Sequence, residues 1–161
     1  MSTMQVGREH AVGELVETLL RFHRALKVHG SEWADLAGGL RRGDVVVLGM
    51  LHAHGAMRPG HIAARLGCGP SVVSRQLAAL TESDLVDRVS DPHDGRAELV
   101  SITASGRARL GEVHDALSRR LADRLDGWPA DDVRRATQLV DDLVQRLLEP
   151  PTSPTTTKDP A

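Results

Sequence analysis

The sequence predicts a mainly α-helical fold carrying one small two-stranded β element, and three observations support it. Apolar residues recur at steps of three and four over most of the chain. That period gives way to two short, β-branched runs only between residues 85 and 102. Glycine and proline punctuate the joints between these stretches.

Val12, Leu15, Val16, Leu19, Phe22 and Leu26 make one apolar helical face, widened by Leu20, and Gly30 marks its end. Residues 31–43 read as a connector containing Trp33, with Gly38-Gly39 as a breaker. Residues 44–54 carry Val45, Val46, Val47, Leu48, Met50 and Leu51. The valine run suits a strand equally, but Met50 and Leu51 prolong it to helical length before Gly55. Two short helices follow, 59–66 and 70–81, separated by Gly67-Cys68-Gly69. Pro70 suits a first helical position, whereas Gly69 at the N-cap supplies no capping oxygen. Residues 85–89 and 98–102 read as strands joined by the turn-rich segment 90–96. Thr103 opens a helix whose stripe runs through Leu110, Val113, Leu117 and Leu121 to a break at Gly127 and Pro129. The last helix starts near Asp131 and carries Val133, Ala136, Val140, Leu143 and Leu147, with Asp131 and Asp132 complementing its dipole. The Pro/Thr-rich stretch 150–161 reads as disordered.

Composition narrows the function. Phe22, Trp33 and Trp128 are the only aromatics in 161 residues, which argues against binders that stack bases on aromatic platforms. The lone Cys68 excludes an intrachain disulfide and a multi-cysteine zinc site. No apolar run approaches the roughly 20 residues that span a bilayer, and the N-terminus lacks signal-peptide zones. A soluble cytoplasmic protein without a membrane partner is expected. There is no HExxH, Gly-rich phosphate loop or nucleophile elbow. Members of the pairs Asp131-Asp132 and Asp141-Asp142 point roughly 100° apart on a helix. No enzyme is expected.

Three helices followed by a two-stranded wing form the layout of a winged helix-turn-helix. The second helix of the turn motif must be short, with small or hydrogen-bonding residues toward the major groove. Ser71, Ser74 and Arg75 share one face of segment 70–81, and Val73, Leu77 and Leu80 form the opposite one. Arg75 can reach guanine or a phosphate, and Gln76 an adenine edge or a phosphate. The plainer reading is that these residues are the solvated side of an amphipathic helix. Arg96, near the tip of the wing loop, is placed either to enter a minor groove or to pair with Asp91 or Asp94.

The stretch from "MRPGHIAARLGCGPSVVSRQLAAL" to "DLVDRVSDPHDGRAELVSITASGRARL" resembles the core of the MarR family of bacterial transcriptional regulators, through its "IAARLG" helix, P-S-x-V-S-R helix, wing and "ITASGRA" exit. The resemblance extends loosely over residues 9–149. It implies homodimers of helical subunits on pseudo-palindromic double-stranded operators, often released by a small molecule, metal or oxidant. It places Ser71, Ser74, Arg75 and Gln76 in the major groove, Arg96 in the minor groove and Arg58 on a phosphate. Gly69, Gly95, and Arg41 with Asp44 depart from residues usual at those positions.

The implied organisation is residues 1–43 and 104–149 for dimerisation, 44–103 as the DNA-binding lobe, and 150–161 as the tail. Widened apolar faces support the dimer independently, with Leu15, Leu19, Val140, Leu143 and Leu147 as its contacts. No cofactor is required. The effector is unnamed and is expected in the cleft between dimer helices and lobe. Zinc has a weak candidate set in His23, His29 and His114. Cys68 reads as a redox thiol or, more simply, as a small partly buried slot. A protein-interaction module built on a winged helix is the alternative class. Charge sharpens this choice: residues 56–110 hold seven basic and six acidic side chains, so specificity must rest on a few placed arginines.

Overall fold

The computed structural model describes residues 3–28, 36–92 and 94–148, and falls into two compact units, Met1–Arg120 and Leu121–Ala161. In order come α1 (Thr3–Val28), α2 (Arg42–His54), α3 (Pro59–Leu66), α4 (Pro70–Glu82), β1 (Val86–Asp91), β2 (Asp94–Ile102), α5 (Ala104–Arg124) and α6 (Ala130–Leu148). The expected mainly α class with a β-wing is the one observed. His29, Trp33 and the tail beyond Leu148 lie outside the described residues.

The core of the first unit is built from α2, α3, α4 and the wing. Val47, Leu48, Leu51, Ile62, Val73, Leu77, Leu80, Val86 and Val100 are all essentially sealed from solvent. That set decides the ambiguous valine run. Val47, Leu48 and Leu51 are adjacent on a helix but alternate across a strand, so only the helix buries all three, and packing overrides β propensity. Asp44 in the first turn accepts the Arg41 backbone N–H at 3.0 Å, which starts the helix without a capping side chain at Arg41.

The turn between α3 and α4 is made by Gly67 in the left-handed region (φ 61°), whose N–H returns to the end of α3 together with that of Cys68. Cys68 is exposed, its thiol 3.4 Å from the Leu66 carbonyl oxygen, rather than seated in the expected partly buried slot.

The wing is an antiparallel pair running from Val86↔Ile102 to Ser90↔Glu98, extended by one bridge between Met57 and Val100. The expected loop over 90–96 shrinks, because β1 continues to Asp91 and β2 begins at Asp94. Asp91 pairs with Asp94 while Ser90 pairs with Glu98, so Gly95-Arg96-Ala97 bulge from the ladder. Arg96 therefore sits within β2, not at the loop tip.

The wing hands over to α5 through a compact joint. The Thr103 hydroxyl oxygen accepts the Gly106 N–H at 2.8 Å, capping α5, while its hydroxyl donates to the Asp84 carbonyl at 2.7 Å. A Cβ on Gly106 would stand 2.1 Å from the Leu85 carbonyl oxygen, so only glycine lets the helix and strand approach this closely. At the other end of the lobe, Arg109 of α5 donates to the carbonyls of Ala37 and Gly38, and Arg42 of α2 donates to the carbonyl of Leu26 in α1. These two arginines tie the flanking helices to the segment leading into α2.

Along α1 every residue from Gln5 to Val28 is exposed, Leu15, Leu19, Leu20 and Phe22 included. In the second unit α6 exposes Leu139, Val140, Val144, Leu147 and Leu148, and no residue of that helix is buried. None of the described helices is long and apolar enough to cross a membrane.

Candidate nucleic-acid interface

The two faces of α4 divide as their spacing predicts. Val73, Leu77 and Leu80 lie in the core, and Ser71, Ser74 and Arg75 are exposed. Pro70 supplies the first helical position with its φ already set, and Gly69 caps without a side chain, leaving the start of the helix narrow. The Arg75 guanidinium meets no carboxylate or carbonyl among the described residues. It is held up by a buried opposite face, and it is free to present all its donors outward.

Gln76 stands apart from this set. Its side chain is half-buried and its Nε2 donates to Asp44 Oδ1 at 3.0 Å. Gly43 makes room for that bond, since a Cβ there would lie 2.9 Å from Gln76 Nε2. Gln76, expected at an adenine edge or a phosphate, forms in this structure a tie between α4 and the first turn of α2. The residue spacing carried no sign of it, because the two partners are 32 residues apart.

Arg58 is likewise engaged. It stands at the N-cap of α3, and its Nε and Nη2 donate to Asp91 Oδ2 at 2.9 and 2.6 Å, with Asp94 Oδ2 at 3.4 Å. Asp91 is 7% exposed, the one buried charged side chain among the described residues. A buried carboxylate needs such a partner, because desolvation penalises its charge. In turn the hydrogen bonds and charge of Asp91 raise the pKa of Arg58 above its ordinary value. With its side chain still 42% exposed, Arg58 joins the helix-turn-helix to the end of the wing. Sequence reasoning offered Asp91 and Asp94 as partners for an arginine but chose Arg96, the nearer one along the chain. The side chain of Arg96 lies outside what the structure describes. Lower on the wing, Arg88 and Glu98 pair at 2.7 Å.

No group of three or more metal-ligating side chains occurs among the described residues. His23 and His114 are exposed on α1 and α5, and His29 lies outside the described residues. His54 hydrogen-bonds to Arg65 at 2.9 Å.

Together these elements present an exposed polar face on a short helix, braced by α2 on one side, beside a hairpin clasped to the preceding helix. Residues 39–97 match the model of the MarR family. Over 134 residues the chain is 29% identical to the HTH-type transcriptional regulator YxaD of Bacillus subtilis (strain 168), covering 83% of this chain and 91% of that one. Over 71 residues it is 39% identical to the HTH-type transcriptional regulator MT0903.1 of Mycobacterium tuberculosis (strain CDC 1551 / Oshkosh), a match that spans 44% of this chain and half, 50%, of that relative. Its fold is shared with a MarR family protein from Bacillus stearothermophilus at a TM-score of 0.74 and 21% identity, over 88% of this chain and 98% of that one. With this fold, this matched segment and these relatives, the chain resembles the MarR family of winged helix-turn-helix transcriptional regulators.

Proposed function

We propose that the protein is a homodimeric, sequence-specific DNA-binding regulator that acts as a repressor and is released by an effector. The observation that carries the reading is the rigid presentation of Ser71, Ser74 and Arg75 on a helix whose other face is sealed in the core. A helix so braced enters a major groove without losing further order, and its small serines let the backbone approach base edges. Arg75 is the base-reading side chain, and Arg58 with Asp91 and Asp94 holds the wing in place beside the duplex. The exposed apolar faces of α1 and α6 support the dimer, because uncovered faces of that length favour association. Leu15, Leu19, Val140, Leu143 and Leu147 are the contacts assigned to it. A twofold pair then offers two recognition helices about one DNA turn apart. An effector that favours a different lobe spacing lowers operator affinity by shifting the population.

The test is a titration of the full chain against a duplex selected by it from a random pool and against a scrambled control, at several salt concentrations. The expected result is an inverted repeat in the selected pool, tighter binding to it, and steep weakening with salt. Binding indifferent to both sequence and salt contradicts the reading.

A further inference from the structure

A cleft of about 600 Å³ opens between the start of α2 and the flank of α4. Arg41, Asp44, Arg75 and Gln76 line it, and Gly39 and Gly43 put no side chain over it. The charged groups on its wall are unevenly used. Asp44 is fully engaged in the fold, with Oδ2 on the Arg41 backbone N–H and Oδ1 on Gln76. The guanidinium groups of Arg41 and Arg75, by contrast, hydrogen-bond to no described residue.

Arg41 is unexpected where it stands. An N-cap favours Ser, Thr, Asp or Asn because the position needs an acceptor, and a guanidinium only donates. Asp44 supplies the acceptor from inside the helix, so the Arg41 side chain plays no part in starting α2. Two guanidinium groups then line one open cleft, and the only carboxylate on its wall has both oxygens taken. Asp44 offsets one of these two positive charges, so the cleft keeps a net positive charge that an added anion would neutralise.

We propose that Arg41 binds a backbone phosphate of the DNA, next to the bases that Arg75 reaches. This rests on the DNA-binding reading above. Arg75 belongs both to the cleft and to the exposed face of α4, so the anion brought nearest to Arg41 when that face enters the groove is a phosphodiester at the groove's edge. Labour is then divided: Arg41 contributes affinity without sequence information, and Arg75 contributes discrimination. The departure at the start of α2 becomes a gain of one charged contact per subunit.

The experiment measures affinity as a function of salt for the wild type and for Arg41→Gln, Arg41→Lys and, as a control of equal charge change, Arg134→Gln in α6. Each is titrated against the selected duplex and a scrambled duplex of about three helical turns. Arg41→Gln is expected to flatten the slope of log K against log salt by about one per engaged subunit. Between 50 and 200 mM salt this is a loss of affinity roughly threefold to fourfold smaller than in the wild type, per subunit. The change is expected to be the same on both duplexes, to be restored by Arg41→Lys and to be absent in Arg134→Gln. A wild-type slope in Arg41→Gln, or an effect confined to the selected duplex, overturns the phosphate contact and leaves the DNA-binding reading standing. A wild type that binds neither duplex overturns both.

Discussion

The winged lobe and the flanking helices treat their apolar residues in opposite ways. From α2 to β2 the large aliphatic side chains close around one another, and Val47, Leu48, Ile62, Leu77 and Val100 keep no contact with solvent. On α1 and α6 side chains of the same kind lie open, Val140 60% and Leu147 71% exposed. Both regions obey the same helical period, so the period alone does not say where a face is spent. The lobe is complete in its own packing. The flanking helices carry apolar faces that the described residues of their own units leave exposed.

Substitutions break or sharpen this contrast, and the largest effect belongs to the lobe. Leu77→Ala opens a cavity in a sealed core and is expected to cost about 2–5 kcal/mol of stability at any protein concentration, measured by denaturant unfolding. A cost below about 1 kcal/mol would show that the lobe is less tightly packed than its burial indicates. Leu19→Asp, on exposed α1, is expected to leave that unfolding unchanged where no dimer forms. It places an unpaired charge in the proposed dimer contact, and association should weaken about a hundredfold, ~3 kcal/mol, by sedimentation equilibrium. Association equal to the wild type would remove α1 from the dimer.

The third expectation concerns the open face of α4. Arg75→Ala should lose ~1–3 kcal/mol of preference for the selected duplex over a scrambled one while the unfolding free energy stays put. Unaltered discrimination would assign base reading elsewhere. Gln76→Ala gives the smallest effect and the reverse pattern. It removes the bond to Asp44, so a stability loss of about 1 kcal/mol is expected with sequence preference retained. Altered preference without lost stability would return Gln76 to the groove.

Much of the lobe was legible in the sequence because burial there is periodic. Val73, Leu77 and Leu80 were separable from Ser71, Ser74 and Arg75 by spacing alone, and Pro59, Gly67 and Pro70 marked the helix ends to within a residue. What was not legible depends on contacts distant in sequence. Arg58 meets Asp91 across 33 residues and Gln76 meets Asp44 across 32. Both polar side chains look unpartnered in the sequence, and the fold supplies their partners. The wing loop is shorter than its sequence suggests for a related reason: the bulge at Gly95-Arg96-Ala97 interrupts the alternation by which a strand is recognised, while the backbone stays extended. Cys68 was misplaced because a turn between two short helices has no period to consult.

The central claim, that two copies place two winged lobes on one duplex, is tested most directly by a footprint on the DNA upstream of the protein's own gene. The account predicts two protected half-sites of an inverted repeat, centred about one helical turn apart, with protection lost in Arg75→Ala. A single unpaired protected segment, or no protection at low salt, would contradict it.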